Sequence, residues 1–69
     1  MTDPESLSSL LEDFVMHARD LLVHADEAAQ LNADGNAGSA EAVIVAARPL
    51  LEALAQEHRA ISDAYNADT

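Results

Sequence analysis

The sequence predicts an all-α protein, an antiparallel two-helix hairpin that dimerises into a four-helix bundle, and three observations lead there. Only two glycines occur, Gly35 and Gly38, both within the polar run 32–39 at mid-chain, which places a single turn there. Apolar residues recur at three- and four-residue spacing on either side of it. The 69 residues include no cysteine, so neither a disulfide framework nor a thiolate metal site can hold so small a chain together, and self-association becomes the expected route to an adequate core. Residues 1–69 read as a single domain.

The first helix is expected over about residues 4–32, where Leu7, Leu10, Leu11, Phe14, Ala18, Leu21, Ala25 and Ala28 follow helical spacing. Its start is marked twice, by Thr2 with Glu5 as a capping box and by Asp3 before Pro4 as an N-cap before a first-turn proline. The turn occupies 33–38, with Gly35 or Gly38 in the left-handed conformation. The second helix is expected over about 39–66, with Ser39 as N-cap and Glu41 in its first turn. Its inward stripe reads as Ile44, Ala47, Leu51, Leu54, His58, Ile61 and Tyr65. Pro49 falls inside this pattern, where it removes a donor and crowds the carbonyl of Val45. That predicts a kink between Val45 and Pro49 or, alternatively, two shorter helices meeting there. Two helices of similar length joined by a short turn pack antiparallel.

Fifteen of the hydrophobic residues are alanine, which leaves eighteen larger apolar side chains beyond Met1. Leu7, Leu11, Phe14, Leu21, Ile44, Leu51, Leu54 and Ile61 are the expected core and dimer seam. Helix 1 carries a second apolar stripe of Val15, Met16, Leu22 and Val23, with Glu12, Asp13, Arg19, Asp20, Asp26 and Glu27 as the polar remainder. Helix 2 repeats this with Val43, Ala46 and Leu50 beside its seam. One neighbouring helix cannot cover that much apolar surface, so the second stripe serves either a second copy or a different protein.

Thirteen acidic residues stand against three arginines and no lysine, for a net charge of −10. Such a chain is repelled by nucleic acid and by anionic membranes, and no apolar run approaches the roughly 18–20 residues that span a bilayer. The first five residues lack the basic segment of a signal peptide, so a cytoplasmic location is expected. The surface suits a partner protein with a basic patch, such as a transcription regulator or an ATPase. Glu12, Asp13, Val15, Met16, Arg19, Asp20, Leu22, Val23, Asp26, Glu27 and Tyr65 are the candidate contacts.

Two constellations could carry chemistry. Asp13, His17, Asp20, His24 and Glu27 alternate spacings of four and three, which puts them on one edge of helix 1. A metal- or pH-responsive site built on His17, His24 and Asp20 is one reading; histidines packed at the seam edge with acidic neighbours along the helix is the simpler one. His17 and His24 lie two turns apart, roughly 10 Å, too far to share an ion without further ligands. The second group, Glu57, His58 and Arg59 with Ser62 and Asp63, has no strand or glycine-rich loop to build an oxyanion hole. His58 is there expected to sit in the seam between Leu54 and Ile61, facing an acidic residue across the bundle. Arg48 is expected to pair with Glu52, four residues on. The reading is therefore of a non-enzymatic protein without a cofactor; a structural assembly subunit is a further alternative.

In its two-helix outline and its turn at 32–39, the chain resembles small phage-encoded helical-hairpin anti-activators. These proteins bind a host transcription regulator and block its DNA contact. The resemblance implies an inhibitory protein–protein role and assigns no residue a function.

Overall fold

The computed structural model describes residues 4–67, a rod of 51 × 15 × 15 Å. The cap residues Thr2 and Asp3 lie outside the described residues. The rod has two arms. Helix α1, Pro4–Ala33, forms the first; α2, Ala37–Ala46, and α3, Arg48–Ala67, run end to end along the second. Thirty residues at 1.5 Å rise make α1 about 45 Å long, so it sets the length of the molecule.

The arms meet along two seven-residue repeats. On α1 the inward positions are Leu7, Leu10, Phe14, His17, Leu21, His24, Ala28 and Leu31, spaced three and four in strict alternation. On the second arm they are Ala40, Val43, Ala47, Leu50, Leu54, Glu57, Ile61 and Ala64, with the same alternation. This is the pattern that keeps a seam facing a neighbouring helix along its whole length. Among the described residues only Ala28, Ala40, Ala47 and Ile61 are buried, and no large side chain is fully enclosed. Three of those four are alanines, two of them on the second arm at Ala40 and Ala47; α2 approaches α1 as extensively as α3, which is twice its length.

The turn is built from backbone alone. Gly35 adopts φ +84°, its N–H donates to the Asn32 carbonyl at 3.1 Å, and the Asn36 N–H donates to the Leu31 carbonyl at 2.9 Å. These two bonds around a left-handed glycine are a Schellman ending. Asn36 then begins the next helix, its carbonyl accepting from the Ala40 N–H at 3.0 Å. The expected N-cap at Ser39 is therefore corrected: Ser39 and Gly38 already lie inside α2, and Glu41 lies beyond its first turn. The Schellman ending consumes so little chain that the second arm starts before the serine is reached.

The disturbance expected at Pro49 is present as a break into two helices. The Ala47 N–H is shared between the carbonyls of Val43 and Ile44, both at 3.1 Å, and its own carbonyl accepts from Leu50 and Leu51 at 3.0 and 3.2 Å. Pro49 thus sits in the first turn of α3, where no donor is required of it. Ala47 is only 1 % exposed, so the chain bends at a seam position and the repeat runs through without losing phase.

The turn generates a paired prediction. Neither glycine has any atom within 4 Å of where a Cβ would stand, so only backbone conformation separates them. Gly35→Ala should destabilise by about 1–2 kcal/mol because of its positive φ, whereas Gly38→Ala should be neutral or stabilise by up to about 1 kcal/mol in a helix. Urea unfolding of both variants at one protein concentration checks this.

Candidate functional site

The polar group that the fold assembles is not the one read from the sequence. His17 reaches across the hairpin, and its Nδ1–H donates to Glu57 Oε2 at 2.7 Å; the carboxylate can only accept, so the proton must be on Nδ1. The two side chains are 28 % and 17 % exposed. Glu57 Oε1 is buried with no hydrogen-bond partner. His24, one repeat further along the seam, turns its Nδ1–H back to the Asp20 carbonyl at 2.8 Å. His17, His24 and Asp20 are not brought together as a metal-holding group: among the described residues no cluster of three His, Asp or Glu side chains is so placed. The expectation for His58 is corrected. It is exposed, and its neighbour Glu57 occupies the seam, so the histidine–carboxylate pair crosses the hairpin with the histidine on the opposite arm. The spacing of Val43, Leu50, Glu57 and Ala64 by sevens was the signal that could have located Glu57.

The same rotation of the second arm corrects the predicted stripe. Ala47, Leu54 and Ile61 face inward as expected, while Ile44, Leu51 and Tyr65 are 49 %, 50 % and 54 % exposed. Leu11, expected with the core, lies at the hairpin's edge. Leu7, Phe14 and Leu21 do line the seam, half-buried.

Exposed residues now sort into faces by helical geometry, each residue advancing about 100°. On α1 the row beside the seam is Leu11, Ala18 and Ala25, and the next row outward is Val15, Leu22 and Ala29. On the second arm the corresponding row beside the seam is Ile44, Leu51, His58 and Tyr65. Because the arms run in opposite directions, these flanks fall on the same side of the hairpin and form one broad face; its outer row on the second arm, Glu41, Arg48, Ala55 and Ser62, brings in one carboxylate and one guanidinium. The opposite side carries Asp13, Asp20 and Glu27 from α1 beside Ala46, Ala53 and Ala60 from the second arm. Met16 and Val23 belong to neither side. They point away from the seam, on the back of α1, between Glu12, Arg19 and Asp26 in one row and Asp13, Asp20 and Glu27 in the other. Within the stripe of Val15, Met16, Leu22 and Val23, the first and third residues thus lie toward the seam and the other two about 100° further round the helix.

The arginines are dispersed. Arg48 Nε donates to Glu52 Oε1 at 3.2 Å, an exposed pair one turn apart as expected. Arg19 borders a shallow depression of about 470 Å³ on α1, formed with Leu11, Glu12, Val15, Met16 and Asp20. Arg59 lines a smaller one on α3, about 330 Å³, with Ala55, Gln56, Ala60 and Asp63. Each depression is furnished by a single helix. Among the described residues, no helix is long and apolar enough to cross a membrane.

The partly buried pair generates a stability prediction. Replacing a buried polar pair by well-packed apolar residues is often neutral or stabilising by about 1–4 kcal/mol, and Glu57 keeps an oxygen without a partner. The double variant His17→Leu/Glu57→Leu, which extends the aliphatic seam, should therefore unfold at equal or higher urea than the parent. A lower midpoint would mean that the pair contributes net stability.

No family model, curated protein or solved structure matches this chain.

Proposed function

We propose that the chain is a non-enzymatic, acidic protein-binding module, an inhibitor of the anti-activator kind, that occupies the basic surface of a target such as a transcription regulator or an ATPase in the cytoplasm. The observation that carries this reading is the placement of Met16 and Val23, 53 % and 63 % exposed, on the back of α1 within a ring of Glu12, Asp13, Asp20, Asp26 and Glu27. Arg19 is the one cation in that ring. An apolar contact surrounded by charge of one sign is the layout of an interaction site: charge steers the encounter and the desolvated centre holds it. The convex, rod-like shape favours binding over catalysis in this reading, since both depressions lie on the outside of single helices. The net charge of −10 supports a cationic protein surface as the complement, including one that otherwise holds phosphates.

The test is affinity capture from a lysate of the source organism at low and high salt, comparing the parent with Met16→Ala/Val23→Ala. A basic protein retained by the parent should be lost at high salt, and its affinity for the double variant should fall about 10- to 100-fold, the effect of removing two central anchors. Retention indifferent to both changes would overturn the proposal.

A further inference from the structure

We infer that the face made by Leu11, Val15, Leu22, Ile44, Leu51 and Tyr65 is the docking surface for a second copy of this chain, and that Met16 and Val23 stay outside the resulting four-helix bundle. Four observations converge on that occupant.

The first is area. The chain exposes 5078 Å², whereas a compact monomer of its mass, 7.3 kDa, exposes about 4,200 Å². The excess of about 900 Å² matches the roughly 800 Å² that each partner contributes to a stable interface. The second is the rotation of the second arm. Its inward row of Val43, Leu50, Glu57 and Ala64 is less apolar than the row left outside, Ile44, Leu51, His58 and Tyr65. A hairpin that stood alone would bury more by turning the larger row inward; leaving it exposed is favourable where another surface covers it.

The third observation is charge. Two copies that each carry −10 repel one another, so they meet most favourably where carboxylates are fewest. The rows that form this face contain one, Glu41, in the outer row of the second arm with Arg48, whereas the rows of α1 that point away from it contain Glu12, Asp13, Asp20, Asp26 and Glu27. A basic partner would find far fewer carboxylates here than on the back of α1, which separates the two surfaces. The fourth is incompleteness of the core: no large side chain is fully enclosed, and a second hairpin laid across the face would cover the half-buried Leu7, Phe14, Leu21 and Leu54 from the side that is now open.

The inference rests on the binding-module reading only for what Met16 and Val23 do once left outside. Its own test is mass and thiol protection. Sedimentation of the parent should give twice the chain mass, and Leu22→Asp or Leu51→Asp should abolish the dimer while Val23→Asp keeps it. Since removal of the partner can also unfold the hairpin, a milder series accompanies these variants. The chain has no native cysteine, so single cysteines report cleanly. Leu22→Cys and Leu51→Cys should be alkylated at least about tenfold more slowly than Val23→Cys, because burial in the dimer protects the thiol. A monomeric parent, equal alkylation rates, or loss of the dimer in Val23→Asp alone would overturn the inference. Those results leave capture of a basic protein by Met16 and Val23 intact, whereas failed capture by a verified dimer would sink only the functional proposal.

Discussion

The hydrogen bond from His17 to Glu57 satisfies the one carboxylate that the second arm's rotation brings into the seam, and most of the surface follows from that rotation. Ala40, Ala47, Leu54 and Ile61 would face α1 in either of two rotations, one bringing in Val43, Leu50, Glu57 and Ala64 and the other Ile44, Leu51, His58 and Tyr65. Burial of apolar area alone favours the second. In the first, Glu57 finds a donor on α1 at 2.7 Å, and the larger residues are displaced to the flank. A carboxylate half-withdrawn from water is costly without such a partner, so the pair makes this rotation tolerable, and the rotation in turn sets which rows are exposed.

The turn and the bend are subordinate to that seam. Gly35 lets α1 end and α2 begin within three residues, so the inward rows of the two arms start opposite one another directly after the turn. Pro49 interrupts the hydrogen-bond ladder, yet the interruption falls at Ala47, where loss of helical regularity does not shift the repeat. The hairpin can therefore carry a break in one arm and still present a continuous line of contacts to the other.

Much of this could be read from the residues. The turn was marked by glycine and asparagine, the seam of α1 by Leu7, Phe14 and Leu21, and the bend by a proline whose missing donor is a local property. The second arm was ambiguous because two seven-residue patterns share one row, and size favoured the one left outside; the spacing by sevens allowed the other as well, but did not encode that its Glu57 would meet His17, forty residues away. Ser39 misled for a related reason, since a good capping residue is used only if the preceding turn is long enough to reach it. On α1 the candidate contacts are exposed, but which of them flank the seam, as Val15 and Leu22 do, and which point away from it, as Met16 and Val23 do, required knowing where the second arm lies.

The length of the rod bears on how its charge works. Residues 4–67 carry eleven carboxylates against three arginines, eight net negative charges, along 51 Å; the linear density is about one charge per 6 Å, against one per about 1.7 Å of duplex DNA. A rod this dilute in charge gathers few counterions and gains little entropy by releasing them. Coulombic mimicry of a nucleic acid would therefore be a poor competitor by itself, and any displacement of a polyanion from a cationic groove would depend on the methionine and valine that interrupt the carboxylates.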